Sequence, residues 1–100
     1  MKDIIDKLNK QFESRVRLGI MSILSVNEAI DFTSLKDLID TTDGNLASHL
    51  NALEKNGLID VKKQFIGRKP NTRYSITHKG STAFKEHLEY LAKLINQQPL

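Results

Sequence analysis

Between Asn45 and Lys55 the chain interleaves Leu46, Leu50 and Leu53 with the short hydrogen-bonding residues Asn45, Ser48 and Asn51. At the helical turn angle the three leucines fall within a narrow arc, so this run is read as a helix with one buried face. Asn45, Ser48, Asn51, Ala52 and Lys55 then lie across from the leucines, with His49 at the flank. Carboxamides match the edge of adenine, hydroxyls donate or accept, and a methyl group meets the methyl of thymine. The chemistry open to such a face is base readout in the major groove of duplex DNA. Gly44 has no side chain, so the backbone amides at the helix start can approach a phosphate.

A second group of chemically suggestive residues follows. Arg68, Lys69 and Arg73 surround a Gly67/Pro70/Asn71 break between two strand-like runs. Arginine pairs with phosphate through two donors and also suits a narrow, electronegative minor groove. Lys62 and Lys63, as neighbours on a strand, point to opposite faces, so at most one of them serves the same surface. Charged hairpins also keep strand edges from aggregating.

The charge distribution agrees with these two groups. Residues 55–79 hold seven Lys/Arg against the single acid Asp60, whereas residues 1–54 carry a net charge of −3 and residues 80–100 are balanced. One concentrated basic segment on a nearly neutral body implies a polyanionic partner. The length of 100 residues corresponds to one domain, and 39% hydrophobic content with few Pro or Gly allows a core. The absence of cysteine excludes disulfides and thiolate metal sites. His49, His78 and His87 form no ligand set at these spacings, so neither metal nor cofactor is expected. No apolar run spans a membrane, no signal peptide is visible, and a cytoplasmic protein is expected. Neither a nucleophile elbow nor a phosphate-binding glycine loop occurs, so no catalysis is expected.

Several elements must position these residues. Ile4, Ile5, Leu8, Phe12, Val16, Ile20, Ile23 and Leu24 recur every three or four residues and predict a first helix over 3–26. Ala29–Phe32 can form a short strand. Thr33 or Ser34 then caps a helix over about 34–41 with Leu35, Leu38 and Ile39 inward. Thr41-Thr42-Asp43-Gly44 is turn chemistry, a Thr or Asp within it capping the Asn45–Asn56 helix, and Gly57 suits a left-handed exit. The helix-turn-helix spans 34–57 and the strand pair 58–77, with Pro70 assigned to the loop because it has no amide to donate. Thr77 caps a last helix over 79–96 with an apolar stripe of Phe84, Leu88, Leu91 and Ile95. The fold class read from this order is mainly α with a small β-hairpin.

The run from Leu35 to Gly80 resembles the winged helix-turn-helix of small prokaryotic transcriptional regulators of the MarR-like and ArsR-like type. Ser48-His49-Leu50, Leu53-Glu54, Gly57-Leu58-Ile59 and Tyr74-Ser75-Ile76-Thr77 with Gly80 carry the resemblance, and Arg68 and Arg73 match its wing cations. The sequence departs where Gly67, not Asp, precedes Arg68, and in lacking the cysteines of metal-sensing ArsR proteins. The resemblance implies a winged-helix homodimer, probing a pseudo-palindromic operator as a repressor. The DNA-contacting set is then Asn45, Ser48, His49, Asn51, Lys55, Arg68, Lys69 and Arg73. The apolar stripes of the terminal helices, Ile4, Leu8, Phe84, Leu88, Leu91 and Ile95, would form the dimer seam. The rival reading is a winged-helix protein-interaction module without specific DNA binding.

Overall fold

The first apolar run does not make one helix. In the computed structural model, which describes residues 1–97, it divides into α1 (Lys2–Ile5), a 3₁₀ turn (Lys10–Phe12) and α2 (Arg15–Ser25). The breaks fall at two extended residues whose side chains satisfy free amides. Asn9 Oδ1 accepts from Gln11 N at 2.9 Å, and Ser14 Oγ accepts from Arg17 N at 3.3 Å. Such caps offer the backbone a local alternative to the helix ladder. The expected helix over 3–26 is thereby corrected, because apolar spacing continues across the breaks. Phe12 still reaches the core, edge-on to Phe84 with ring centroids 5.3 Å apart.

Beyond α2 come β1 (Ile30–Asp31), α3 (Phe32–Ile39), α4 (Asp43–Lys55), β2 (Ile59–Ile66), β3 (Lys69–Ile76) and α5 (His78–Ile95). The strands form an antiparallel sheet in the order β1-β3-β2. Asp31, rather than Thr33 or Ser34, caps α3 by accepting from Ser34 N at 2.9 Å, so α3 starts two residues earlier than expected. Asp40 ends it in the left-handed region at φ 58°. Thr42 caps α4 and Thr77 caps α5, both through the hydroxyl.

The core joins Phe12, Ile20, Met21, Leu24 and Leu35 to the three α4 leucines, with Leu58, Ile59, Tyr74 and Phe84 closing it. Leu46, Leu50 and Leu53 are at most 1% exposed, as the helical arc requires. Leu38 departs from its expected inward position and is 65% exposed. On a helix of only eight residues, Ile39 and Leu35 take the side facing α2, where Ile39 closes on Gly19. Leu38 is left on the flank.

The hairpin turns at Gly67-Arg68, with Gly67 at φ 63°. A positive φ at the first of two turn residues is the requirement of a type II′ hairpin. Lys69, Pro70 and Asn71 therefore belong to β3, correcting the expectation that Pro70 lies in the loop. Pro70 pairs with Phe65, one position from the Ile66↔Lys69 pair that closes the turn. In an antiparallel ladder that alternate site makes no bond to its partner. On its other edge β3 meets β1 only at Arg73 and Tyr74, so the missing amide breaks no ladder.

Candidate nucleic-acid interface

Burial of the leucine stripe fixes which side of α4 meets solvent. Gly44, Ser48, Asn51 and Lys55 are all exposed and lie along the line opposite Leu46, Leu50 and Leu53. Thr42 positions the start of this helix, its hydroxyl accepting from Asn45 N at 3.1 Å and its carbonyl from Leu46 N at 3.0 Å. Helix geometry leaves the amides of Asp43 and Gly44 without an intrahelical acceptor, directed out of the positive end. Lys36 on α3 pairs with Asp43 at 2.9 Å and offsets the one acid at that end.

Two other expected contacts are constrained. The exposed Asn45 donates through Nδ2 to Thr41 Oγ1 at 2.8 Å, which fixes the orientation of its amide. His49 is half-buried, and its Nδ1 accepts from Arg17 Nε at 2.9 Å. Guanidinium has no acceptor, so Nδ1 is unprotonated and the ring proton resides on Nε2. Burial, and then the Arg17 charge, lower the His49 pKa below the usual imidazole value. The Arg17 side chain also reaches Gln11 Oε1 at 2.8 Å, which accepts from Asn56 Nδ2 at 3.2 Å. This chain of bonds braces α4 against α2 and the 3₁₀ turn. No local pattern reveals it, because Arg17 and His49 are 32 positions apart.

The basic residues of the hairpin separate into two places. Arg68 and Lys69 stand exposed at its tip. Arg73 lies at its root, half-buried, donating from Nη2 to Ala29 O at 3.0 Å and facing Asp31 across the β1–β3 pair. It stitches β3 to the segment leading into β1, and is not brought together with Arg68. Asp31 is held below the usual carboxylate range first by its bonds from Ser34, with Asn71 and Arg73 adding to the effect. Lys62 shares the face of Arg73, Lys63 that of Thr72, so the alternation expected for the two lysines holds.

Arg15 escaped the sequence reading because it lies in the acidic half of the chain. It lines a recess of about 610 Å³ with Ser14, Ser22, Leu38, Thr41 and Asn45. A cation of α2 is thus carried beside the leading end of α4. Among the described residues no group of three His, Asp or Glu is placed to hold a metal. No helix in them is long and apolar enough to cross a membrane.

At the other end of the molecule the expected seam is only partly exposed. Phe84 is 5% exposed and packed on Phe12, so it is a core residue rather than a contact for a second subunit. The nearby buried His87 accepts through Nδ1 from Asn9 N at 3.0 Å and ties the N-terminal segment to α5. Ile4, Leu8 and Leu91 are half-buried, while Ile5, Leu88 and Ile95 remain open.

A helix-turn-helix whose second helix turns a short polar face to solvent, followed by a projecting basic hairpin, defines the winged-helix class of nucleic-acid-binding domains. Comparisons with known proteins agree. Residues 16–95 match the winged helix DNA-binding domain family, and the chain belongs to that family. It is 39% identical over 85 residues to an uncharacterised protein of Methanocaldococcus jannaschii, an alignment covering 85% of this chain and 92% of that protein. A transcriptional regulator homologue from Pyrococcus horikoshii superposes with a TM-score of 0.83 at 35% identity, covering 95% of this chain and 92% of that one. A MarR-family regulator from Silicibacter pomeroyi shares the fold at 15% identity and TM-score 0.63, over 99% of this chain and 71% of its own.

Proposed function

We propose that this protein is a sequence-specific, double-stranded DNA-binding transcriptional regulator that works as a cytoplasmic homodimer and represses by occluding a promoter. The observation that carries the reading is the outward line Gly44, Ser48, Asn51 and Lys55, set opposite a buried leucine stripe. A face of small side chains between two flanking elements is the shape a major groove admits. Asn45 and His49 would read or position from the edge of this face, each already oriented by a neighbour. Arg68 and Lys69 would hold the wing on the backbone, with Arg73 setting the root of the hairpin. Catalysis has no part in this reading.

The dimer would join the open parts of the N-terminal segment and α5, with Leu88 and Ile95 at its centre and Ile4, Leu8 and Leu91 at its margin. A twofold protein reads a pseudo-palindrome whose half-sites lie one or two helical turns apart. Selection from random duplex DNA tests specificity and half-site spacing together. On the selected site, Arg68→Ala should lower the log–log salt slope by about 1 per lost phosphate contact, about 2 for the dimer. Absence of salt-sensitive duplex binding would overturn the proposal in favour of a protein-interaction module.

A further inference from the structure

The wing tip carries more than charge. Phe65 is 73% exposed and Ile66 58% exposed, although both sit in a regular strand, and Pro70 opposite Phe65 is exposed as well. Neighbours on a strand point to opposite faces, so Phe65 and Ile66 make both sides of the tip apolar. The turn does not require them, since Gly67 alone supplies the unusual backbone angle. The core does not use them either, because the sheet's last buried residues are Ile59 and Tyr74. From Tyr74 to Lys69 the strand advances about 3.3 Å per residue, so the tip stands some 16 Å beyond the core. Beside it are Lys63, Arg68 and Lys69, and no acidic residue occurs between Asp60 and Glu86.

Extending the DNA-binding reading above, we propose that Phe65 and Ile66 form an apolar wedge that enters the minor groove beside Arg68 and bends the duplex. The occupant follows from the composition of the patch: two large apolar side chains alone would fit many surfaces, but here they are bracketed by cations on a narrow two-residue turn. A minor groove offers phosphates on both rims, apolar sugar walls between them and a width of about 6 Å. Wedges of Phe, Ile or Pro pressed against a base step unstack it and kink the helix. Pyrimidine–purine steps yield most readily, so the wing would favour such a step at a position it reads by deformation rather than by hydrogen bonds.

The double variant Phe65→Ser/Ile66→Ser alters only exposed positions and keeps the fold readable by thermal melting. Using the duplex selected for the wild-type protein, bending is followed by energy transfer between dyes at its two ends, and affinity across a salt series. Wild type should shorten the end-to-end distance, and the double variant should not. Its affinity should fall about tenfold or more at every salt concentration, leaving the log–log slope unchanged, because apolar contacts release no counterions. Arg68→Ala should change the slope instead. A repeated selection with the double variant should lose any enriched pyrimidine–purine step under the wing. Unchanged bending and affinity in the double variant would overturn the wedge while leaving the DNA-binding reading intact. Failure of the wild type to bind any duplex would overturn both. Phosphatidylglycerol vesicles supply the competing anionic surface. Vesicle binding that depends on Phe65 and Ile66, with duplex affinity unaffected, would assign the tip to membranes and sink the proposal.

Discussion

Glycine-to-alanine changes at positions 44 and 80 should have opposite effects, and the structure gives the size of each. A Cβ on Gly80 would lie 1.9 Å from Leu58 O and 2.8 Å from Leu58 C. Both are backbone atoms, so no rotamer relieves the clash, and α5 would have to withdraw by more than about 1 Å to restore contact distance. That withdrawal loosens a knot of three bonds. Thr77 Oγ1 donates to Gly57 O at 2.7 Å and accepts from Gly80 N at 2.9 Å, while Thr77 N donates to Leu58 O at 3.2 Å. The three weakened bonds, the cap among them, cost about 1 kcal/mol each, and overpacking about 1–3 kcal/mol, giving roughly 4–6 kcal/mol. For a domain of this size the melting temperature should fall by about 16 °C or more. Gly44, in contrast, has nothing within 4 Å of the added methyl and no positive φ. Alanine there should stabilise α4 by about 0.5–1 kcal/mol. The same methyl stands between the helix amides and an approaching phosphate, so duplex affinity should drop roughly three- to tenfold in the more stable protein. Thermal melts and binding isotherms on both variants decide the matter. A Gly80→Ala protein within a few degrees of wild type would refute the close-approach argument, and undiminished binding by Gly44→Ala would take that helix end off the DNA.

Two further outcomes are expected. Burial lowers the pKa of His87, only partly offset by Glu13, and His49 is lowered as well; folded values below the ordinary 6.5 mean the unfolded chain binds more protons. Stability should therefore be full above pH 6.5 and decline as pH falls through the folded values, less steeply in His87→Gln; identical melting curves against pH for the two proteins would remove His87 as a cause. Leu88→Glu should convert the proposed dimer to a folded monomer in sedimentation with little change in melting temperature, whereas Phe84→Glu should unfold the chain. A wild-type protein that sediments as a monomer at every concentration would dispose of the seam.

What could be read from the sequence was whatever depends on neighbours within a few positions. The α4 stripe, a Thr or Asp cap before α4 (Thr42 in the structure), the Thr77 cap and the left-handed Gly57, at φ 73°, follow from helical spacing and turn chemistry. What could not be read depends on partners far along the chain. Arg73 counts as one more wing cation until Ala29, 44 positions away, is seen to accept its donor. His49 is a flank residue until Arg17 is placed beside it. The stripe on α5 is apolar along its length, but spacing does not say which of its residues the chain itself covers. Phe12 covers Phe84 within the chain, while Leu88 and Ile95 are left open. The first helix shows the converse failure, where a correct apolar period hides the two caps that interrupt it.

The arrangement around Gly57 bears on how reading and holding can be coordinated. The end of α4, the start of β2, the end of β3 and the start of α5 all converge there. Lys79 Nζ donates to Asn56 O at 3.0 Å, Thr77 to Gly57 O, and Gly80 abuts Leu58 O. A left-handed glycine joining two elements would ordinarily be a candidate hinge. Here the carbonyls of three successive residues, Asn56, Gly57 and Leu58, are each engaged by the Thr77–Gly80 segment. Bending at Gly57 would disrupt the bonds to Asn56 O and Gly57 O, so the junction is a braced elbow. The angle between α4 and the wing is therefore set by the fold. In the proposed dimer, reorienting α5 against the second subunit would carry α4 and the wing along as one body, changing the distance between the two DNA-binding units and leaving each unaltered.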